Sequence, residues 1–448
     1  MSRTCALEAW LADRSSLDAE IVRLAVPAFG ALVAEPLFLL ADSAIVGRLG
    51  TVPLGGLGVA SQALTTLVGV SIFLAYGTTA AVSRQLGAGR RDAAIRHGVN
   101  GFWLAAAIGL VVLAVGWPLA RQIVAAFGGT PAVSQQAVIY LRISLLGAPA
   151  MLAVLAGTGV LRGLQDTRTP LIVAICANAL NIALNAILVL GLHWGIAGSA
   201  WGTFLAQVAA GATYLLVVAR GARRAGVGMR PDRRGITGAA FAGASLVLRT
   251  LALQAVLVLM TALAARQSDA AIAASQVAMR VWSLFVFALD AIAIAGQAIT
   301  GRALGAGNAE AARAATRRMI GWGVAYGTLF SVLLLAVLPA LPALFGVTPS
   351  VRRLLLGVLL VIILQQPVAG VVFVLDGVLI GAGDQDYLAV AGLVALAVFG
   401  AAAALVVATG AGLVALYLAY SAWMLARFVT LSVRARGEHW LVTGAVRS

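Results

Sequence analysis

A chain of 448 residues that is 62% hydrophobic and only 10% charged, with mean hydropathy +1.00, is too apolar for a water-soluble domain. A folded surface needs more polar cover than these residues supply. The net charge of +15 would suit a nucleic-acid binder, but all 31 basic residues are arginine and most lie in short connections between apolar runs. That distribution orients a chain in a lipid bilayer, which excludes nucleic acid as the partner.

Residues 1–20 include Asp13, Arg14 and Glu20 and lack an apolar stretch, which predicts no cleavable signal peptide; the first spanning helix then acts as the insertion signal. Apolar runs near 21–46, 55–83, 97–119, 134–160, 169–190 and 196–219 follow, each close to the roughly 20 residues that cross a hydrocarbon core. Six more lie near 238–264, 270–300, 315–338, 350–378, 386–408 and 411–433. Counted by connection, 23 arginines fall on one side. Six (Arg48, Arg121, Arg142, Arg266, Arg352 and Arg353) fall on the other, and Arg249 and Arg280 lie within or near helices. The positive-inside rule then predicts a multi-pass protein of a bacterial inner membrane with both termini in the cytoplasm.

The chain repeats at an offset of 218 residues. Leu86-Gly87-Ala88-Gly89 recurs as Leu304-Gly305-Ala306-Gly307, and Arg84 meets Arg302. Phe127-Gly128 meets Phe345-Gly346, Thr130-Pro131 meets Thr348-Pro349, and Pro149 meets Pro367. Gly163 and Asp166 meet Gly381 and Asp384, so the register holds without a gap for some eighty residues. Two halves of six helices, each entering from the same side, follow as a parallel repeat. The expected organisation is an N-terminal bundle over 1–219, an Arg-rich cytoplasmic linker over 220–236 containing Pro231, and a C-terminal bundle over 237–448. The predicted fold class is an all-α integral membrane protein of twelve transmembrane helices in two pseudo-symmetric bundles.

An ionisable side chain inside hydrocarbon is costly, so each one is a functional candidate. Asp42 lies late in the first helix, which contains Pro27 and Pro36 and is expected to bend. Such a carboxylate could couple ion binding to movement, or could simply approach the outer interface. Asn178, Asn181 and Asn185 share one face of the fifth helix, either bonding Asp42 and lining a wet cavity or tying helices together. The second half offers Asp290 and Asp376, whose repeat positions are Ile72 and Thr158, so the two halves share a scaffold but not their acids. Asp376 is expected near the cytoplasmic Gly381-Ala382-Gly383, within reach of water. Glu35 could titrate or partner Arg249.

Much chemistry is missing. Without lysine there is neither a Walker A site nor Schiff-base catalysis. His97, His193 and His439 are far apart and form no metal set. Cys5 and Cys176 are not expected to pair. The expectation is a protein that is not an enzyme, with no cofactor, no metal beyond a Na⁺ that could sit near Asp42, and no obligate protein partner.

The segments Glu35-Pro36-Leu37 and Asp42-Ser43-Ala44-Ile45-Val46-Gly47-Arg48-Leu49-Gly50 resemble the first helix of the DinF branch of the multidrug and toxic compound extrusion (MATE) family. Leu375-Asp376-Gly377-Val378-Leu379-Ile380-Gly381-Ala382 is similar to its tenth helix, and Leu161-Arg162-Gly163-Leu164-Gln165-Asp166-Thr167-Arg168-Thr169-Pro170 to the loop between helices four and five. The resemblance implies a V-shaped pair of bundles around a central cavity. It also implies export of small, often cationic, drug-like or toxic compounds by alternating access in exchange for H⁺ or Na⁺. Carried over by residue, Asp42 is the coupling acid, Asn178 and Asn181 are the fifth-helix amides, and Thr203 is the polar position of Gly198-x-x-x-Gly202-Thr203. Many relatives have an aspartate where this chain has Asn185, which either leaves Asp42 with amide partners only or leaves coupling to Asp290 and Asp376.

Two other functions are weighed. A flippase for lipid-linked saccharides would need cations inside the cavity to hold pyrophosphate, and only Arg249 and Arg280 are placed to serve. A membrane-embedded lipid-modifying enzyme would need clustered acids or a nucleophile and base, which the sequence lacks.

Overall fold

A computed structural model of the chain describes residues 3–446, with side chains from Ser15 onward, so the side chains of Cys5, Asp13 and Arg14 and all of Arg447 lie outside the described residues. Twelve apolar helices account for most of it. They are α1 (Arg3–Gly47), α2 (Thr51–Gly87), α3 (Arg91–Gly116), α4 (Pro131–Leu146 and Ala148–Gly163), α5 (Arg168–Gly191) and α6 (Gly195–Arg224). The second half comprises α7 (Arg233–Gln267), α8 (Asp269–Gly305), α9 (Ala309–Val337), α10 (Pro349–Gly381), α11 (Gln385–Thr409) and α12 (Leu413–Arg436). Eleven are long and apolar enough to cross a membrane alone, and α4 makes the twelfth as a bent pair. Lipid offers no partner for a bare peptide group, so apolar runs of this length are driven to helix, and the described residues contain no strand. Two short helices, Ala120–Phe127 and Leu341–Leu344, fill the connections before α4 and α10 and were not expected from sequence.

The repeat is visible in the packing. Helix α4 packs against α2, α3 and α6, and α5 against α6; correspondingly α10 packs against α8, α9 and α12, and α11 against α12. It is visible in the backbone as well. Left-handed residues recur at the same offset: Gly89 and Gly307, Gly128 and Gly346, Gln165 and Gly383, Gly226 and Gly444. In both Leu-Gly-Ala-Gly turns the last glycine donates to the leucine carbonyl, at 3.1 Å in each half. The preceding alanine N–H returns to the arginine carbonyl at 3.0 Å, so orphan carbonyls at each helix end are satisfied by a glycine in the left-handed region.

One pair of repeat helices differs for a reason that can be named. Pro149 and Pro367 occupy equivalent places and each denies a hydrogen bond to the carbonyl four residues earlier. Helix α4 breaks at Gly147 and bends by 56°. Helix α10 runs on through Pro367, because Ser331 of α9 donates to the orphaned Ile363 carbonyl at 2.7 Å. The first half has Leu113 at the position of Ser331 and Gly147 at that of Gln365, so it has neither the substitute donor nor the stiffer residue.

The chain packs as two compact units, residues 27–243 and residues up to 26 together with 244–448. In the first, apolar layers form between α2 and α4 (Leu57, Ala60, Leu141, Leu145) and between α3, α4 and α6 (Val99, Phe102, Val160, Tyr214). In the second, α10 is the buried hub. Gly323 of α9 lies against Gly370 of α10, where a Cβ on either would meet the other's backbone. Small residues let helices approach closely where lipid supplies no hydrophobic drive to hold them together.

Candidate functional site

Within the unit 27–243, α1, α4, α5 and α6 bring one acid and a set of amides and hydroxyls together. Asp42 is 1% exposed, and its Oδ1 accepts from Asn185 Nδ2 at 2.5 Å and from Ser199 Oγ at 2.8 Å. The same Asn185 amide donates to Asn181 Oδ1 at 2.9 Å, and Asn181 Nδ2 donates to Thr203 Oγ1 at 3.1 Å. Thr203 in turn pairs with the Tyr140 hydroxyl at 3.1 Å. The result is a continuous polar chain from a lone carboxylate on α1, through α5, to hydroxyls on α6 and α4.

Local sequence explains the placement. Asn181 and Asn185 are four apart and share a face, as do Ser199 and Thr203 on α6. Gly202 stands between those two hydroxyls, and a Cβ there would overlap Asn185 Oδ1, so the glycine makes room for the amide. Directly after Asn185 the helix widens into a π-helical turn over Ala186–Gly191, an irregularity that membrane helices tolerate where protein surrounds them. Asn178 lies two turns before Asn185 and donates to the Ala34 carbonyl of α1 at 3.0 Å, beside Pro36, which leaves Leu32 without its usual helical donor.

Two atoms of this cluster remain unpaired. Asp42 Oδ2 and Asn185 Oδ1 are buried with no hydrogen-bond partner among the described residues. Both are acceptors. Buried acceptors without donors are costly, and a proton, a small cation or a donating water would relieve them.

The other expected residues lie elsewhere. Glu35 is exposed on α1 and has no hydrogen bond or ion pair among the described residues. Arg249 is bound to Asp376 instead, so the reading of Glu35 as its partner gives way to a pairing within the other unit. Asp376 is buried and accepts from Arg249 Nε at 3.1 Å, from Arg249 Nη2, and from Arg427 Nη2 at 3.2 Å. It is therefore held by two guanidiniums rather than solvated at a glycine turn. Asp290 on α8 is within electrostatic reach of Arg427. Arg427, counted with the cytoplasmic C-terminus by position, is buried in α12 with its guanidinium 5.0 Å from the Trp423 ring. Arg280 is exposed on α8.

Sequence reasoning missed Ser199, Tyr140 and Arg427. The first had a signal, a hydroxyl four residues before Thr203 with glycines beside both. At the repeat offset Ser199 and Thr203 correspond to Tyr417 and Ser421, and these too are polar anchors: Tyr417 pairs with Ser275 at 3.1 Å and Ser421 donates to Gln365 at 2.9 Å. Tyr140 had no signal of its own.

Among the described residues, no group of three His, Cys, Asp or Glu could hold a metal ion. Cys176 is a free, exposed thiol.

A MatE family model matches residues 27–187 and 246–428. DNA damage-inducible protein F of Escherichia coli is 32% identical over 440 residues, covering 96% of this chain and 94% of that protein. A probable multidrug resistance protein NorM of Thermotoga maritima is 31% identical over 193 residues, 42% of this chain and 41% of that one. In fold, a MATE protein in a bent conformation superposes with TM-score 0.86 at 21% identity, covering 94% of this chain and 95% of that chain.

Proposed function

The chain belongs to the multidrug and toxic compound extrusion family of secondary transporters, and from that membership we propose that Asp42 binds the coupling cation in exchange for an exported small organic compound. It is a multi-pass membrane transporter rather than an enzyme. Its cargo is a small molecule, the bilayer is its solvent, and H⁺ or Na⁺ is a co-substrate rather than a cofactor. The arginine asymmetry supports a bacterial inner membrane with both termini in the cytoplasm. The 218-residue repeat supports two moving halves, 1–219 and 237–448, joined by 220–236.

The observation that carries the assignment of coupling to Asp42 is the pair of buried, unpartnered acceptors, Asp42 Oδ2 and Asn185 Oδ1. A cation arriving at Asp42 removes the cost of its bare oxygen, and its departure restores that cost, which biases the helices that hold the acid. Asn178, Asn181 and Thr203 orient the site, and Ser199 and Tyr140 complete it. Asp376 is a poor competitor for the ion because Arg249 and Arg427 already supply tethered cations. The same commitment leaves those arginines unsuited to gripping a pyrophosphate, which weighs against a flippase of lipid-linked saccharides.

The test is efflux of a fluorescent lipophilic cation from proteoliposomes under imposed H⁺ or Na⁺ gradients, with Asp42→Asn beside the wild type. Export driven by one gradient and abolished in the variant is expected. Undiminished export by Asp42→Asn would move coupling to Asp290 or Glu35.

A further inference from the structure

The packing units do not coincide with the sequence halves at their beginnings. Residues up to Val26 of α1 pack with the unit that holds residues 244–448, while residues up to Gly243 of α7 pack with the unit that holds 27–243. At the 218 offset the first boundary, between 26 and 27, maps to between 244 and 245, one residue from the second. Both halves therefore begin the same way, with the opening turns of the first helix rooted in the unit formed by the other half.

The two roots differ in chemistry. That of α7 is apolar: Ile236 and Ala239 pack against a layer of Leu74, Leu104 and Ala105. That of α1 is polar. Asp18 accepts from Arg318 of α9 through Nε at 2.6 Å and Nη2 at 2.5 Å, and from the Trp322 indole N–H at 2.8 Å. Glu20 pairs with Arg302 of α8 at 2.6 Å, and Ile21 and Leu24 on the next turn are buried. A two-pronged guanidinium grip with a third donor sets position more sharply than a simple ion pair.

Helix α1 is continuous from this grip to Asp42, and Pro27, where backbone bonding is interrupted, lies at the point where the helix changes unit. We propose that Asp18, clasped by Arg318 and Trp322, is a positioning residue for ion-driven export: it holds the start of α1 in the second unit, so that movement at Asp42 acts across a hinge at Pro27. The proposal rests on the reading of Asp42 as the coupling acid. A side chain that merely stabilised the fold would, when lost, lower all transport alike. Loss of a strap instead separates ion binding from the movement it drives, so that substrate still runs downhill but is no longer driven by ions.

The experiment uses the full chain in proteoliposomes, comparing ion-driven accumulation with downhill flux of the same fluorescent cation in the wild type, Asp18→Arg, and Asp18→Arg with Arg318→Asp. Asp18→Arg is expected to lose accumulation by about tenfold, a typical size for an inter-site coupling, while keeping most downhill flux. The charge swap is expected to restore most of the accumulation. Unchanged accumulation in Asp18→Arg, or equal loss of both fluxes, overturns the proposal. Where Asp18→Arg fails to insert, Asp18→Asn with Trp322→Phe takes its place. A second readout works without transport: the distance between spin labels at Val22 and Val324, both exposed and both in the clasped unit. It should stay single and unmoved by Asp42→Asn, and broaden when the clasp is cut. A distance that follows Asp42→Asn with the clasp intact refutes the strap. Absence of ion-driven accumulation in the wild type, with this distance still dependent on Asp18, would count against the exchange reading and leave the anchoring intact.

Discussion

Removing Asp376 should damage the protein far more than removing Asp376 and Arg249 together. The carboxylate is buried and accepts three hydrogen bonds from two guanidiniums whose side chains are 9% and 7% exposed. Replacing it alone, by Asp376→Leu, leaves two buried guanidiniums without the carboxylate that accepts from both. Breaking a buried pair from one side costs about 3–5 kcal/mol, whereas exchanging both partners for packed apolar groups is often near neutral. Arg249→Leu with Asp376→Leu removes a matched pair and leaves Arg427 beside Asp290, so its expected cost is about 1 kcal/mol or less. For units of this size about 2–4 °C accompanies each kcal/mol, so the single variant should melt roughly 6–20 °C lower and the double close to the wild type. Thermal unfolding of the purified protein in detergent, followed by the loss of its monodisperse chromatographic peak, measures both. The double variant should also retain gradient-driven export, since the pair is structural. A single variant as stable as the wild type, or a double as damaged as the single, would refute the reasoning. So would loss of ion coupling in a well-folded double variant.

Gly202→Ala should abolish ion-driven export while the protein remains folded, because the new Cβ displaces Asn185 from Asp42; Gly58→Ala, which faces open space, should leave transport unchanged in the same proteoliposome assay. Gly323→Ala should lower thermal stability by about 1–3 kcal/mol, since a methyl there drives α9 away from the Gly370 backbone. Trp440, fully buried in the segment after α12, should cost about 3–5 kcal/mol on truncation to alanine, read from the same melting experiment. Ser331→Ala should bend or loosen α10 at Pro367 by orphaning the Ile363 carbonyl, lowering stability by about 1–3 kcal/mol.

Much of this architecture could be read along the chain. Bilayer burial turns secondary structure into a nearly one-dimensional problem, because an apolar run too long to be anything else must close its hydrogen bonds within itself. The runs near 97–119 and 386–408 became Arg91–Gly116 and Gln385–Thr409. The repeat was legible because its markers are loop residues with demanding backbone geometry, such as Gly89 and Gly307, which few residue types can replace. Periodicity also placed Asn181 and Asn185 on one face, and they do meet Asp42 through Asn185.

What could not be read was partnership across the fold. The sequence held no sign that Arg249 and Asp376, 127 residues apart, would meet, or that Arg427 would join them inside α12 rather than lie with the cytoplasmic arginines. Nor did it show that Asn185 would need Gly202, that Tyr140 would close the polar chain, or that Asp18 of α1 would lodge beside Arg318. Hydrophobicity and turn chemistry are properties of a segment and its solvent, so the chain alone determines how many spanning helices there are, roughly where they lie and that they repeat. Which buried charge faces which other depends on the rotation and depth of each helix. Those are decided only when small residues, prolines and paired polar groups on several helices settle into one mutually satisfied packing.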